Sequence, residues 1–114
     1  MLNNDGIWVD EYVVRSYEID PFGHASFKDM CNYLQESAGN HARHLGVAVD
    51  QLLAKDMTWV LSRLHVRLDA LPKWGDTIKV HTWPAEVDRL YAVRDFCLFD
   101  EDDNEIGVAT TGWI

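Results

Sequence analysis

SFKDMCNYLQESAGNHARHLG, residues 26–46, decides the fold class of this chain. At helical spacing Phe27, Met30, Cys31, Leu34, Ala38, Ala42 and Leu45 fall on one apolar stripe, mostly in steps of three and four. Ser26 stands where an N-cap belongs, with Asp29 three residues on as the return acceptor of a capping-box variant, and Gly46 supplies the left-handed residue that stops the helix. At ~1.5 Å per residue the helix is about 28 Å long, enough to run the width of a small curved sheet. A helix marked at both ends and apolar along one side is built to be wrapped.

Working outward, residues 12–19 read as a strand before the helix, and 58–68, 76–83, 90–99 and 106–114 as strands after it, each rich in Val, Ile, Thr, Trp, Tyr or Phe. LPKWGDT (71–77) is a turn, because Pro72 pre-sets its φ and Gly75 accepts a positive one. Pro84 ends the third strand, since it has no N–H for the ladder. The acidic run 100–105 is the solvated tip of the last hairpin and lacks the glycine and spacing of a calcium loop. In WVLSRLHVRL (59–68), Val60, Ser62, Leu64, Val66 and Leu68 make the helix-facing side, against Leu61, Arg63, His65 and Arg67 outside. In the next strand Ile78, Val80 and Thr82 alternate with Lys79, His81 and Trp83, so the outer face gathers positive groups. This is an α+β plan: one helix, five strands, a single domain over 1–114.

Composition sets the outer limits. The chain has 114 residues, 47% of them hydrophobic, and no repeat, linker or low-complexity tract. No apolar stretch is long enough for a bilayer, and MLNNDGIWVDEY has neither a basic nor an apolar leader region, so no membrane role is expected. Cys31 and Cys97 sit in apolar patterns without metal-ligand spacing and read as buried, reduced thiols of a cytoplasmic protein. His41 and His44 are too few for a metal site, and none is expected. A net charge of −9 argues against a nucleic-acid binder, and no Gly-rich phosphate loop is present. The last strand runs ATTGWI with no closing turn or polar tail, the pattern expected of the first half of something longer.

The phrases VRSYEID (14–20), NYLQE (32–36) followed by GNHA (39–42), WVLSR (59–63), and PKWGDT (72–77) before a strand ending TWP (82–84) occur in this order. With them the chain from Tyr12 onward resembles the N-terminal hotdog domain of acyl-acyl-carrier-protein thioesterases. The resemblance implies a hotdog fold, a curled antiparallel five-stranded sheet wrapped around one long central helix. It implies hydrolysis of fatty acyl-acyl carrier protein to free fatty acid, with no cofactor and with the phosphopantetheine-linked carrier protein as partner. In that family two hotdog domains share one chain, and the main catalytic residues belong to the second; this half then shapes the acyl pocket.

Thioester hydrolysis needs a base for water, a donor for the carbonyl and an apolar channel. Backbone N–H groups from Ser26 to Asp29, at the positive end of the helix, are natural donors. DPFGHA (20–25) resembles the Asp-x-x-Gly-His stretch of single hotdog thioesterases, which implies Asp20 as nucleophile or general base and His24 as the residue that orients substrate or water; a plain turn, with Asp20 accepting from nearby backbone N–H groups and His24 packed beneath the helix, is the other reading. Glu36, in the polar stripe Asn32, Glu36, Asn40 and His44, is a third catalytic candidate, as a base or as a structural partner across an interface. Met30, Leu34, Ala38, Trp59 and Leu61 are the candidate acyl-binding residues. The basic outer face is either a docking surface for an acidic carrier protein or an ordinary solvated face. Two other functions stand beside this one: a single-hotdog acyl-CoA thioesterase acting as a homodimer through Asp20, His24 and Glu36, and a non-catalytic acyl-binding half-domain. A lone hotdog sheet has an edge to cover, so pairing with a second copy or a second hotdog domain is expected.

Overall fold

A computed structural model describes residues 1–87 and 92–114. β1 (Trp8–Val13), β2 (Leu61–Leu68), β3 (Thr77–Val87), β4 (Ala92–Asp100) and β5 (Glu105–Trp113) form an antiparallel sheet in the order β1-β3-β4-β5-β2. The long helix α1 (Phe27–His44) lies against it, and a short helix α2 (Val49–Leu53), which periodicity had not indicated, leads toward β2. This is the hotdog arrangement the resemblance implies. Among the described residues no helix is long and apolar enough to cross a membrane.

Both expected ends of α1 are present. Ser26 Oγ accepts from the Asp29 N–H at 3.1 Å and donates to the Asp29 carboxylate, and Gly46 follows the helix at φ 80°. The buried face is rotated from the expected stripe. Met30, Leu34 and Ala38 are buried as read, but so are Tyr33, Ser37 and His41, while Phe27 and Leu45 at the stripe's ends are more than half exposed. Met30 and Leu34 pack with Ile78 and Val80 of β3 and Phe96 and Leu98 of β4 in one core.

The strands differ from the expected ranges where local chemistry intervenes. β1 starts and ends earlier than 12–19, because the inward set is Trp8, Asp10 and Tyr12; beyond Val14 the chain leaves the sheet, and Ser16–Glu18 form a 3₁₀ turn whose Glu18 carboxylate accepts from Arg15 N–H at 2.9 Å. β3 does not stop at Pro84. It continues to Val87 through a register shift between Pro84 and Glu86, and its pairing with β1 ends at Thr82, so the missing proline N–H falls on a free edge. Leu90 and Tyr91, expected in the fourth strand, lie outside the described residues. The 100–105 run is a hairpin tip in which Asp100 Oδ1 accepts from the N–H groups of Asp102 and Asn104, both at 2.9 Å. On β2, Val66 and Leu68 reach the core, but Leu64 and Val60 of the expected inner face are 43% and 56% exposed. The helix packs on β1 and β3 and leaves that far corner uncovered, and a register shift between Leu61 and Arg63 breaks the alternation there.

Because Leu34 is only 2% exposed at the centre of the core, Leu34→Ala leaves a cavity the packed strands cannot close. The expected loss is about 2–5 kcal/mol of unfolding free energy, measured as a lower urea midpoint at unchanged slope.

Candidate functional site

Between α1 and β1 runs a seam of polar side chains that periodicity had not indicated. Buried Glu18 accepts from Tyr33 OH at 2.8 Å, Tyr33 stacks on Tyr12, and Tyr12 OH shares a 2.7 Å hydrogen bond with Ser37. Asp10 Oδ2 then accepts from Asn40 Nδ2 at 3.1 Å and Trp8 Nε1 at 3.0 Å, and Trp8 stacks on His41. Burial alone would raise the Asp10 pKa, but the donors from Asn40 and Trp8 outweigh it and hold the carboxyl below its ordinary value. Burial raises the pKa of both tyrosines and leaves them un-ionised; at Tyr33 the Glu18 carboxylate adds to the rise, whereas at Tyr12 the Ser37 hydrogen bond works against it without cancelling it.

The seam ends at Arg94 on β4. Its Nη1 lies 2.9 Å from His41 Nδ1 and donates to Thr82 Oγ1 at 3.2 Å. Arginine has no acceptor to offer, so Nδ1 of His41 must be the unprotonated nitrogen. Consistently, burial and then the Arg94 charge push the His41 imidazole down to about 4.

Beside Arg94 opens a cavity of about 310 Å³ between the C-terminal half of α1 and the ends of β3, β4 and β5. The opening exists because the helix carries small residues here: Ala38, Gly39 and Ala42 line it, and a Cβ built on Gly39 meets nothing within 4 Å. Opposite stand Val93, Trp113 and Trp59. Trp59 Nε1 donates to Val47 O at 2.9 Å and Trp113 Nε1 to Thr111 Oγ1 at 2.9 Å, so both indoles have spent their polar atom and present apolar surface.

Of the candidate acyl-binding residues, Ala38 and Trp59 line this cavity; Met30 and Leu34 are in the core, and Leu61 is at the start of β2. Asp20 Oδ1 accepts from the N–H groups of Phe22 (2.9 Å) and His24 (3.1 Å), which closes the turn before α1, and Gly23 takes φ 83° within it. His24 is half-buried above Lys73 and Pro72 of the 71–77 turn. Glu36 is exposed and, among the described residues, makes no hydrogen bond or ion pair. It lies about 15 Å along the helix from Ser26, so the three catalytic candidates are not brought together in one place. Arg94 and His41 were missed, although both had a signal: Arg94 shares the inward parity of Phe96 and Leu98, and His41 follows Tyr33 and Ser37 at four-residue steps. On the outer face Lys79 is paired with Asp103 at 2.7 Å and Arg67 with Asp69 at 3.3 Å.

Comparison with known proteins points one way. Residues 6–114 match the model of the acyl-ACP thioesterase N-terminal domain. The chloroplast oleoyl-acyl carrier protein thioesterase 1 of Arabidopsis thaliana is 32% identical over 99% of this chain, which is 33% of that relative. Among solved structures, an acyl-ACP thioesterase from Bacteroides thetaiotaomicron superposes with a TM-score of 0.89 at 34% identity, covering 94% of this chain and 44% of that one. The 12:0-ACP thioesterase from Umbellularia californica superposes with a TM-score of 0.84 at 28% identity over 95% of this chain and 42% of that one. The chain spans a third or less of the length of the curated relatives it matches.

A histidine held neutral to about pH 4 has a sign that can be measured. Between its ordinary value near 6.5 and about 4 the unfolded chain binds a proton that the folded chain refuses, so stability rises with pH through that window and is level above it for this group. His41→Gln should flatten this part of the stability–pH curve by up to about one proton, read from urea midpoints between pH 4 and 7.

Proposed function

The chain belongs to the acyl-ACP thioesterase family, and from that premise we propose that it is the acyl-binding half of a hydrolase that cleaves fatty acyl-acyl carrier protein to free fatty acid and carrier protein. The observation that carries the reading is the cavity beside α1. Its volume of about 310 Å³ and its mostly apolar lining of alanines, valines, a glycine and two indoles with spent N–H groups suit an alkyl chain, Gln35 and Arg94 being the polar exceptions. Each methylene moved from water onto such walls is worth ~0.8 kcal/mol.

The chemistry falls to groups outside this cavity. Asp20 and His24 belong to the turn before α1, whereas the cavity lies along the helix's C-terminal half, and Glu36 faces solvent. In the proposal a second hotdog unit supplies the main base for the attacking water, and Asp20, His24 and Glu36 are at most auxiliary to it. Such a unit, or a second copy of this chain, would cover the β2 side, where the sheet ends and Leu64 and Val60 stand exposed. The acyl chain arrives on the phosphopantetheine arm of a carrier protein. With Lys79 and Arg67 already paired, the outer face offers less free positive charge to that carrier than its residue types suggest.

The test is a chain-length profile. Ala38→Leu adds three carbons to a cavity-lining position, so the protein that includes the second unit should shift its hydrolysis toward acyl groups shorter by about two to three carbons, with the best short substrate retaining its rate. Assays across a series of acyl-carrier-protein substrates decide it. A uniform loss at every length, with folding intact, would show that Ala38 does not meet the acyl chain.

A further inference from the structure

We infer that Arg94 makes the cavity a binding site for an aliphatic carboxylate, the released fatty acid product, which it holds in preference to an uncharged ligand of the same length. The inference rests on the proposed acyl-binding role of the cavity and adds the identity of a second ligand. Arg94 is unlike the rest of the lining, which is mostly alanine, glycine, valine and tryptophan. Its Nη1 is used by two neutral acceptors, His41 Nδ1 at 2.9 Å and Thr82 Oγ1 at 3.2 Å, and these fix the plane of the guanidinium. Among the described residues no carboxylate pairs with it: Asp95 turns outward to Thr110 Oγ1 at 2.9 Å, and Asp10 is taken by Trp8 and Asn40.

A guanidinium has five N–H donors, and Nη1 carries only two of them. No buried side-chain nitrogen among the described residues lacks a partner, and no described residue beyond His41 and Thr82 accepts from the Arg94 side chain, so with respect to the described residues its remaining donors are within reach of solvent or ligand. Arg94 therefore combines a pinned orientation, spare donors and a partly desolvated charge, conditions under which a carboxylate is bound strongly. Burial also lowers the Arg94 pKa, the direction expected of a cation short of a counter-ion.

The ligand's chemistry then follows from the reaction. Water adds to the thioester carbonyl, the C–S bond breaks, sulfur leaves with a proton as the carrier thiol, and the new C–O bond gives an acid that loses its proton at neutral pH. The substrate brings no negative charge on its acyl group; the product does. A fixed cation beside an alkyl-sized cavity separates the two and retards release of the acid.

The measurement compares decanoate with 1-decanol, both below their aggregation limits, by titration calorimetry, with tryptophan emission as a second readout because Trp59 and Trp113 line the cavity. Decanoate is expected to bind the wild-type protein about tenfold or more tightly than decanol. Arg94→Met should bring the two affinities together while decanol still binds, and Arg94→Lys should keep part of the preference. Equal affinities in the wild-type protein, a comparison that needs no variant, overturn the inference and leave the acyl-binding cavity standing. A preference that survives in Arg94→Met overturns it as well. If neither ligand binds, the reading of the cavity itself falls.

Discussion

The sheet offers five strands of concave surface and the chain has one long helix to lay across it, so which part of that surface α1 covers, and with what size of side chain, governs everything else in the molecule. Over β1 and β3 its first half carries Met30, Tyr33 and Leu34, large enough to close the gap and make a dry core with Ile78, Val80 and Leu98. Its second half carries Ala38, Gly39 and Ala42, which fall short of the opposite wall. One helix thus provides a packed end that holds the fold and a hollow end that can take a ligand. The corner beyond, at β2, is left without a cover.

Apolar packing alone would let a helix roll on a curved sheet at little cost, because dispersion and burial have no preferred direction. The polar seam supplies direction. Tyr12 to Ser37 and Asp10 to Asn40 are hydrogen bonds of fixed geometry between β1 and α1, Tyr33 to Glu18 is one between α1 and the 3₁₀ turn after β1, and each is lost if the helix turns. The roll they impose places Ala38 and Gly39 over the hollow and carries His41 to Arg94. Stability and site share these contacts, so a change in the seam is felt in the cavity even where the substituted residue does not touch it.

What was legible beforehand was what local chemistry specifies. Ser26 and Gly46 mark α1 because N-capping and positive φ depend on residues within a few positions. The alternation of Ile78, Val80 and Thr82 placed β3 correctly for the same reason. The errors have non-local causes. β1 was placed too late because Asp10 faces inward, which a two-residue period cannot anticipate without knowing that Asn40 and Trp8 wait there. Pro84 did not end β3, since the neighbour its N–H would have served had already finished at Thr82. The α2 segment is too short for a periodic signal. The cavity was the least legible feature of all. Ala38 and Trp59 were named for it, but its walls come from segments as distant as Gln35 and Trp113, and a void is a property of what fails to meet in space.

Gly39 has a longer-range meaning. In mid-helix it is about 1 kcal/mol poorer than alanine, and space stands open where its side chain would be. Nothing in folding asks for glycine at this point. A stability-driven selection, whether drift under heat or a screen for soluble expression, would therefore fill the position at once and count the result as an improvement. A side chain added there would stand at the wall of the hollow itself. Thermal robustness and working capacity are opposed at this one backbone atom, and a variant that melts later is the one in which to look for a lost ligand.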